Sequence, residues 1–198
     1  MQLILASGSR YRKEMLERLR IPFTTESPDI DETQLPNELP HELALRLAKA
    51  KASKVYSKNQ GAIVIGCDQV AAIGQTAIGK PGSFEAAFEQ LKRLSGQEVV
   101  FNSAICVTDG HNTLTNNIIT LCRFRDLSEH EIHAYLNADQ PFDTAGSAKA
   151  ESLGITIMQS IKSDDPTAII GLPLIELSNM LRELGINPTT YNNYDQYQ

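Results

Sequence analysis

Residues 62–67 form an uninterrupted apolar run, AIVIGC, that constrains the fold more than any other stretch of the sequence. A short continuous run rich in β-branched residues is typical of a strand covered on both faces. Such a strand lies in the middle of a sheet that has helices on each side. Because Asp68 follows the run directly, the sequence predicts a carboxylate at the carboxyl end of a buried central strand.

Apolar periodicity along the rest of the chain predicts a mixed α/β fold. Leu3–Ala6 has the pattern of a short buried strand, and Glu98–Thr108 and Thr113–Phe124 flank an Asp-Gly turn, as in a long hairpin. Helices are predicted over residues 10–19, 41–55 and 84–94, after a Ser128/Glu131 capping box, and after Pro173. Further strands are predicted at residues 155–161 and 168–170. These elements favour a mixed sheet over a uniform βαβ series.

Length and composition limit the class of protein. The 198 residues predict one compact domain of one or two lobes over residues 1–186, with a polar, flexible tail at residues 187–198. The net charge of −6 argues against a general nucleic-acid binder. Three widely spaced cysteines, no signal-peptide pattern and no apolar run near ~20 residues predict a reduced, cytoplasmic protein without a membrane span.

A turn of small residues, Ser7-Gly8-Ser9, precedes the first predicted helix and its basic segment RYRK. A helix N-terminus exposes unpaired N–H groups that suit phosphate oxygens, and the serine hydroxyls and Arg12 add further donors. The chain lacks the GxxxxGKS/T signature of a P-loop, so an N-cap followed by a solvated basic turn explains the same residues. The motif alone favours this second interpretation, and phosphate binding is a hypothesis at this point.

Asp68 and an acidic segment upstream are candidates for metal chemistry. Open α/β sheets bind ligands beyond the carboxyl ends of their strands, which is the position predicted for Asp68. Its carboxylate can bind Mg²⁺ or act as a general base, whereas a capping role does not explain a charge directly after a buried run. Asp29, Asp31 and Glu32 can complete a hard-metal site with Asp68, or they form an ordinary solvated loop.

Other small-residue segments enclose charged side chains. Gly79-Lys80-Pro81-Gly82 stiffens a loop around Lys80, whose ammonium can reach a phosphate as a point charge, although such a segment is most often an ordinary turn. The segment AGSAKAE at residues 145–151 is followed by DDP at 164–166 and GLP at 171–173. Each of these fragments is a weak signal when taken alone.

Taken in order, these fragments resemble the Maf family of nucleotide pyrophosphatases, from Leu3 to about Gly185. The resemblance rests on LASGSRYRKEML at residues 5–16, DIDE at 29–32, LAKAKA at 47–52, IGCDQV at 65–70 and GKP at 79–81. AGSAKAESLGI and IIGLPLIELSNML continue the pattern towards the C-terminus. Five separated motifs in the same order make the match specific.

The resemblance implies an elongated mixed β-sheet with flanking helices around a central cleft, as in Maf and ITPase-like proteins, commonly in a homodimer. The implied activity is hydrolysis of nucleoside triphosphates to monophosphate and pyrophosphate with a divalent metal cation, Mg²⁺ or Mn²⁺. Asp68 matches the residue that accepts a proton from the attacking water, and Glu32 and Asp68 are the implied metal pair. The matching phosphate-binding positions are Ser7, Arg12, Lys51 and Lys80.

Three positions bear on the preferred base. Within the family, members that act on thymidine and uridine triphosphates carry Arg, Thr and Gln where this chain has Tyr11, Gln69 and Glu151. The chain is instead similar to the subfamily that hydrolyses 7-methyl-GTP, although that subfamily usually has Trp at the position of Tyr11. An aromatic face attracts the cationic ring of 7-methylguanine, and a carboxylate accepts hydrogen bonds from the guanine edge. Alternatively, Tyr11 belongs to the buried helix face and Glu151 is a surface charge.

The resemblance therefore leads us to expect a pyrophosphatase that removes modified nucleotides such as 7-methyl-GTP. Its expected partner is a small-molecule nucleotide, with no nucleic acid and no membrane. A pyrophosphatase for dTTP, UTP or other nucleotides is the nearest alternative. A nucleotide-binding regulator of cell division, with no required catalysis, is an alternative from another class.

Overall fold

A seven-stranded mixed sheet organises residues 2–191, which are the residues that the computed structural model describes. Its order is β2-β1-β3-β5-β6-β7, with β4 beside β3; β1 runs parallel to β2 and β3, and the other pairs are antiparallel. The strands are β1 (Leu3–Ala6), β2 (Thr24–Thr25), β3 (Ile63–Ile73), β4 (Thr76–Ile78), β5 (Glu98–Thr108), β6 (Thr113–Phe124) and β7 (Met158–Ser163). The helices are α1 (Arg10–Glu17), α2 (Pro40–Tyr56), α3 (Phe84–Leu94), α4 (Glu129–Asp139) and α5 (Leu174–Glu183).

The central strand β3 is covered on both faces, as its apolar run predicts. Ile63, Ile65 and Cys67 pack with α1 and α5 on one face, while Val64 and Val70 pack with α2 on the other. A further apolar cluster, which includes α3 and α4, covers the same face of the sheet near Ala71 and Phe101. None of the helices within residues 2–191 is both long enough and apolar enough to cross a bilayer.

Helix α2 packs closely against β3 because Gly66 has no side chain. A Cβ at Gly66 would collide with the carbonyl oxygen of Ala48 and would lie 2.7 Å from the backbone nitrogen of Ala52. Both contacts are backbone atoms of α2, so neither can move away without shifting the helix. The glycine therefore sets the distance between the helix that carries Lys51 and the strand that carries Asp68.

The sheet has a gap beside β3. Strand β1 pairs with β3 as far as Ala6, opposite Gly66, and β4 joins β3 only from Ala71 onward. Residues 67–70 of β3 therefore have no neighbouring strand on this side within residues 2–191. On its other side β3 stays paired with β5 throughout the gap. The gap leaves an opening in the sheet at the position of Asp68.

The structure corrects the predicted end of the central strand. Asp68 does not end β3, because the strand continues to Ile73 and its ladder with β5 runs on to the pair formed by Ala72 and Val100. The apolar run breaks at Asp68 and Gln69 because both side chains have polar partners: Asp68 contacts Lys51 of α2, and Gln69 contacts the backbone carbonyls of residues 168 and 169. The rule that ligands bind beyond strand ends applies here to β1, whose carboxyl end is beside Gly66.

The other predicted elements are confirmed with local corrections. The strand Leu3–Ala6, the hairpin and the capped helices all form, although the first helix ends at Glu17. Residues 168–170 form a 3-10 turn rather than a strand, because their N–H groups bond to carbonyls three residues earlier. Leu153–Ile157 is also 3-10, so β7 starts only at Met158. The short strands β2 and β4 are not predicted by the sequence pattern.

The predicted tail lies only partly within the described residues. Residues 187–191 form a turn in which Asn187 accepts hydrogen bonds from the backbone of Thr189 and Thr190. The side chain of Arg182 donates to the Thr189 hydroxyl at 3.2 Å. Residues 192–198 of the tail lie outside the described residues.

Replacing Gly66 with alanine should destabilise the fold by about 1–3 kcal/mol, because the new methyl group overpacks the contact between β3 and α2. Urea unfolding of Gly66→Ala against the wild-type chain measures this loss. Gly79→Ala is the matched control, since a Cβ there meets no atom within 4 Å. Equal stability of the two variants would contradict close packing at Gly66.

Candidate active site

A cavity of about 540 Å³ opens at the gap between β1 and β4. We call it the gap cavity. Several parts of the chain converge on it: the turn after β1 with the start of α1, the loop before α2, helix α2, strand β3, strand β4 with the loop after it, and Ala145. Its polar and charged lining side chains are Ser7, Ser9, Arg12, Ser27, Glu32, Gln34, Lys51, Asp68, Gln69 and Lys80. The cavity thus brings together the predicted phosphate-binding residues and the metal pair Glu32 and Asp68, whereas Asp29 and Asp31 are not among its lining residues.

Lys51 bridges the two carboxylates of the cavity. Its Nζ donates to Asp68 Oδ1 at 2.6 Å and lies 2.7 Å from Glu32 Oε1. Lys51 and Asp68 are buried, whereas the Glu32 side chain is 56% exposed. We call these three residues the charged triad. We predict that Lys51 binds a phosphate, and in this structure its ammonium contacts the two carboxylates.

The charged triad depends on each of its members. Removing one partner of a buried ion pair strongly destabilises the folded protein, because the other charge stays buried without a partner. Partial burial acts to raise the pKa of Glu32, but the hydrogen bond and charge of Lys51 outweigh it. Lys80 and Arg12 act in the same direction, so the pKa of Glu32 lies below its ordinary value. Glu32 therefore stays ionised at neutral pH.

The turn after β1 caps helix α1 and also lines the gap cavity. Ser9 is the N-cap of α1 and accepts a hydrogen bond from the Arg12 backbone, and buried Ser7 accepts one from the backbone of Ser9 at 3.1 Å. The same turn lines the gap cavity. The first turn of α1 contains no acidic residue, so the positive end of its helix dipole is not neutralised locally. This end of the cavity therefore favours an anion.

Arg12 reaches the cavity from α1 and is held by a backbone carbonyl. Its Nε donates to the oxygen of Gly171 at 3.0 Å, and the thiol of Cys67 donates to the same oxygen at 3.1 Å. Burial raises the pKa of the Cys67 thiol, and the nearby Arg12 guanidinium only partly opposes this shift. Cys67 is therefore a buried strand residue whose thiol stays protonated.

Asp165 organises the loop that supplies this carbonyl. It is buried, and its Oδ1 accepts hydrogen bonds from both the backbone and the hydroxyl of Thr167, at 3.0 and 2.7 Å. Its Oδ2 accepts from the backbone of Ile175 at 2.7 Å and of Glu176 at 3.2 Å, at the start of α5. The DDP and GLP fragments are the sequence signal for this loop, but their spacing alone does not reveal its hydrogen bonds.

Gln69 lies on the opposite face of β3 from Asp68 and lines the cavity through the gap. Its amide nitrogen donates to Ser103 Oγ at 3.0 Å and to the carbonyls of Ala168 and Ile169 at 2.9 and 3.1 Å. Ser103 also donates to the Ala168 carbonyl at 2.8 Å. Sequence reasoning did not identify Ser103, which fixes the orientation of Gln69 from the neighbouring strand.

Tyr11 lines a second cavity, of about 620 Å³, together with Phe142, Asp143 and Lys149. This second cavity shares Gly8, Ser9 and Lys80 with the gap cavity, so the two adjoin along the turn after β1. Tyr11 is outside the apolar cluster of Met15 and Leu16, and the guanidinium of Arg10 lies 5.3 Å from its ring centroid. The half-buried ring is therefore part of the wall of the second cavity, beside the Arg10 guanidinium.

Glu151 lines neither of these two cavities. Partial burial raises the pKa of its carboxyl, and the charges of Asp139 and Asp143 add to the shift against the opposing charge of Lys149. Asp143 and Lys149 both line the second cavity. Glu151 is thus electrostatically linked to that cavity, and the structure does not bring it together with Gln69.

The oxygen donors of the charged triad fit a hard divalent cation. Glu32 and Asp68 already surround one positive charge, the Lys51 ammonium, with two carboxylate oxygens. Within residues 2–191 no group of three or more His, Cys, Asp or Glu side chains is placed to hold a metal. Mg²⁺ is commonly bound by one or two carboxylates together with water and substrate phosphates, so a third protein ligand is not required.

Comparisons with known proteins identify the family of the chain. The family model described as "Maf-like protein" matches residues 2–184. The 7-methyl-GTP pyrophosphatase of Bordetella pertussis is 62% identical over 189 residues, covering 96% of this chain and 95% of that protein. The 7-methyl-GTP pyrophosphatase of Burkholderia pseudomallei is 52% identical over 189 residues, covering 93% of this chain and 88% of that protein. The solved Staphylococcus aureus Ham1 protein is 17% identical with a TM-score of 0.45, covering 64% of this chain and 73% of that one. The chain belongs to the Maf family.

Proposed function

We propose that the chain hydrolyses 7-methyl-GTP to 7-methyl-GMP and pyrophosphate and so removes a modified nucleotide. The observation that carries the proposal is the buried Asp68 carboxylate, bonded to Lys51 in a cavity that Arg12 and Lys80 also line. Cations around a reactive carboxylate suit a polyphosphate substrate, because phosphoryl transfer depends mainly on positioning and charge stabilisation. The relatives named 7-methyl-GTP pyrophosphatase support the choice of substrate.

In the proposed reaction the triphosphate lies in the gap cavity. The N–H groups at the start of α1 and the charges of Arg12 and Lys80 hold its oxygens. Asp68 accepts a proton from a water molecule as the water oxygen bonds to the α-phosphorus. The bond from that phosphorus to the bridging oxygen breaks, and pyrophosphate leaves with the electron pair. Lys51 contacts Asp68 through Oδ1, so Oδ2 can accept the proton.

Glu32 and Asp68 would hold the divalent cation, Mg²⁺ or Mn²⁺. When bound, the cation supplies positive charge that neutralises the phosphate oxygens and the developing charge of the leaving group. The low pKa of Glu32 keeps this ligand ionised without a change of protonation. Lys51, which donates to Asp68 and contacts Glu32, would add its positive charge beside the cation and the phosphate oxygens.

The second cavity is proposed as the place of the base. Tyr11 presents an aromatic face beside the turn that both cavities share. The ring of 7-methylguanine is cationic, and a cation is attracted to an aromatic face. Gln69 and Glu151 remain candidates for base selection. Gln69 contacts the loop at residues 168–169, and Glu151 contributes negative charge near the second cavity.

The proposed partner is a free nucleotide rather than a nucleic acid or a membrane. We also propose a homodimer acting in the cytoplasm. Cys67, Cys106 and Cys122 are free and buried, which suits a reducing compartment. Burial raises the pKa of Cys106 to about 11, so this thiol stays protonated at neutral pH.

Asp68→Asn should reduce pyrophosphate release from 7-methyl-GTP by roughly 10²–10⁴-fold, because it removes the general base. The rate is measured with Mg²⁺ or Mn²⁺ across 7-methyl-GTP, GTP, UTP, dTTP and CTP. Asp164→Asn makes the same change on an exposed carboxylate and should leave the rate unchanged.

The same panel distinguishes the alternatives. Faster turnover of UTP and dTTP than of 7-methyl-GTP would overturn the proposed specificity. Near-normal turnover by Asp68→Asn would refute the role of the carboxylate. A wild-type chain that releases pyrophosphate from none of the five nucleotides would favour a binding protein.

Tyr11→Ala should weaken transition-state binding of 7-methyl-GTP by about 1–3 kcal/mol through the loss of stacking. The kcat/KM for UTP should fall less, because the neutral base of UTP gains no cation–π attraction from Tyr11. The measurement is kcat/KM for both nucleotides, with Tyr11→Trp as the variant that should restore or strengthen stacking. An equal loss for both substrates in Tyr11→Ala would make Tyr11 a structural residue.

A further inference from the structure

Glu32 is the member of the charged triad that lies on irregular backbone. Lys51 is on α2 and Asp68 is on β3, whereas residues 26–39 between β2 and α2 form neither helix nor strand. A metal-binding residue on such a segment needs other contacts to fix its position, because no regular backbone hydrogen bonds of a helix or sheet hold the chain there. Its bond to Lys51 fixes the carboxylate but not the loop behind it.

Arg46 supplies contacts of this kind from the body of α2. Its Nε donates to Glu38 Oε1 at 2.5 Å and its Nη2 to Glu38 Oε2 at 2.9 Å, which is a two-point, charge-assisted pair. The same Nη2 donates to the carbonyl oxygen of Thr33 at 2.9 Å. Thr33 directly follows Glu32, so the guanidinium is bonded to the residue next to the proposed metal ligand.

Glu38 extends this anchorage through the loop. Its Oε2 also accepts the backbone N–H of Leu35 at 3.0 Å, and its carbonyl accepts the side-chain amide of Gln34 at 2.7 Å. The Glu38 side chain is only 8% exposed, so the pair is not an ordinary surface ion pair, which contributes little. Residues 33–38 thus form a small hydrogen-bonded unit that is attached to α2 through one guanidinium.

We propose that Arg46 is a positioning residue that holds the Glu32 carboxylate at the cation and phosphate site by fixing residues 33–38 to α2. The proposal rests on the proposed function, in which Glu32 and Asp68 hold a divalent cation. Helix α2 then fixes Glu32 from two sides, through Lys51 at the carboxylate and through Arg46 at the following residue. Lysine cannot replace Arg46, because it lacks the planar fork that reaches two oxygens at once.

The first test is the binding of Mn²⁺ alone, by equilibrium dialysis without nucleotide. Arg46→Gln should weaken Mn²⁺ affinity by roughly 10–100-fold, the usual effect of losing a group that orients a metal ligand. Arg46→Lys should not restore it. At saturating Mn²⁺ the kcat of Arg46→Gln should approach that of the wild-type chain, since Asp68 is untouched. Lys92→Gln is the control, because it breaks a surface pair with Glu129 on other helices.

Hydrogen exchange tests the loop itself without any metal. The amide of Leu35, which donates to Glu38, should lose protection in Arg46→Gln and keep it in Lys92→Gln. If Arg46→Gln does not fold, Glu38→Gln removes the charge of the same pair at nearly constant size and should weaken Mn²⁺ binding in the same direction.

A double variant decides whether Arg46 acts through Glu32. If it does, Arg46→Gln combined with Glu32→Gln should bind Mn²⁺ no more weakly than Glu32→Gln alone. The positioning role would be overturned if the affinity losses of the two single variants multiplied in the double variant, or if Arg46→Gln bound Mn²⁺ as tightly as the wild-type chain. Either result would leave the proposed function intact. Absence of Mn²⁺ binding by the wild-type chain would overturn the metal site and this inference together.

Discussion

The ion pair between Lys51 and Asp68 is the interaction on which the site depends. It places a carboxylate and an ammonium together in the interior, where each charge needs the other. The pair forms because α2 lies close to β3 at Gly66, and it is open to a ligand because β3 has no neighbouring strand on one side at residues 67–70. Close helix packing brings the charges together, and the gap in the sheet lets a ligand reach them.

Three parts of the chain with little regular structure complete the site, and each is fixed by polar contacts. The turn after β1 is held by Ser7 and by the N-cap Ser9, and the loop before α2 is held by Arg46. Asp165 shapes the loop whose carbonyls contact Arg12 and Gln69. Strand β3 thus carries the proposed base, helix α1 carries Arg12 and Tyr11, and hydrogen-bonded loops complete the cavity with Ser7 and Glu32.

The sequence predicts the elements better than their relation in space. The run at residues 62–67 indicates the central strand, because burial on both faces leaves a continuous apolar pattern. It does not indicate that β3 continues through Asp68, since that depends on pairing with a distant strand, β5. Family motifs identify the residues of the gap cavity. The bridging position of Lys51, the position of Glu151 outside both cavities, and the anchors Arg46 and Asp165 follow only from three-dimensional contacts.

We propose that Asp68 meets a nucleoside triphosphate in the gap between β1 and β4. A crystal structure with Mn²⁺ and a 7-methyl-GTP analogue that cannot be cleaved between the α- and β-phosphates is the most direct test. We expect phosphates in the gap cavity, the α-phosphorus facing Asp68, and the base against Tyr11. A triphosphate bound outside the gap, with the Asp68 carboxylate still bonded to Lys51 and remote from every phosphate, would contradict it.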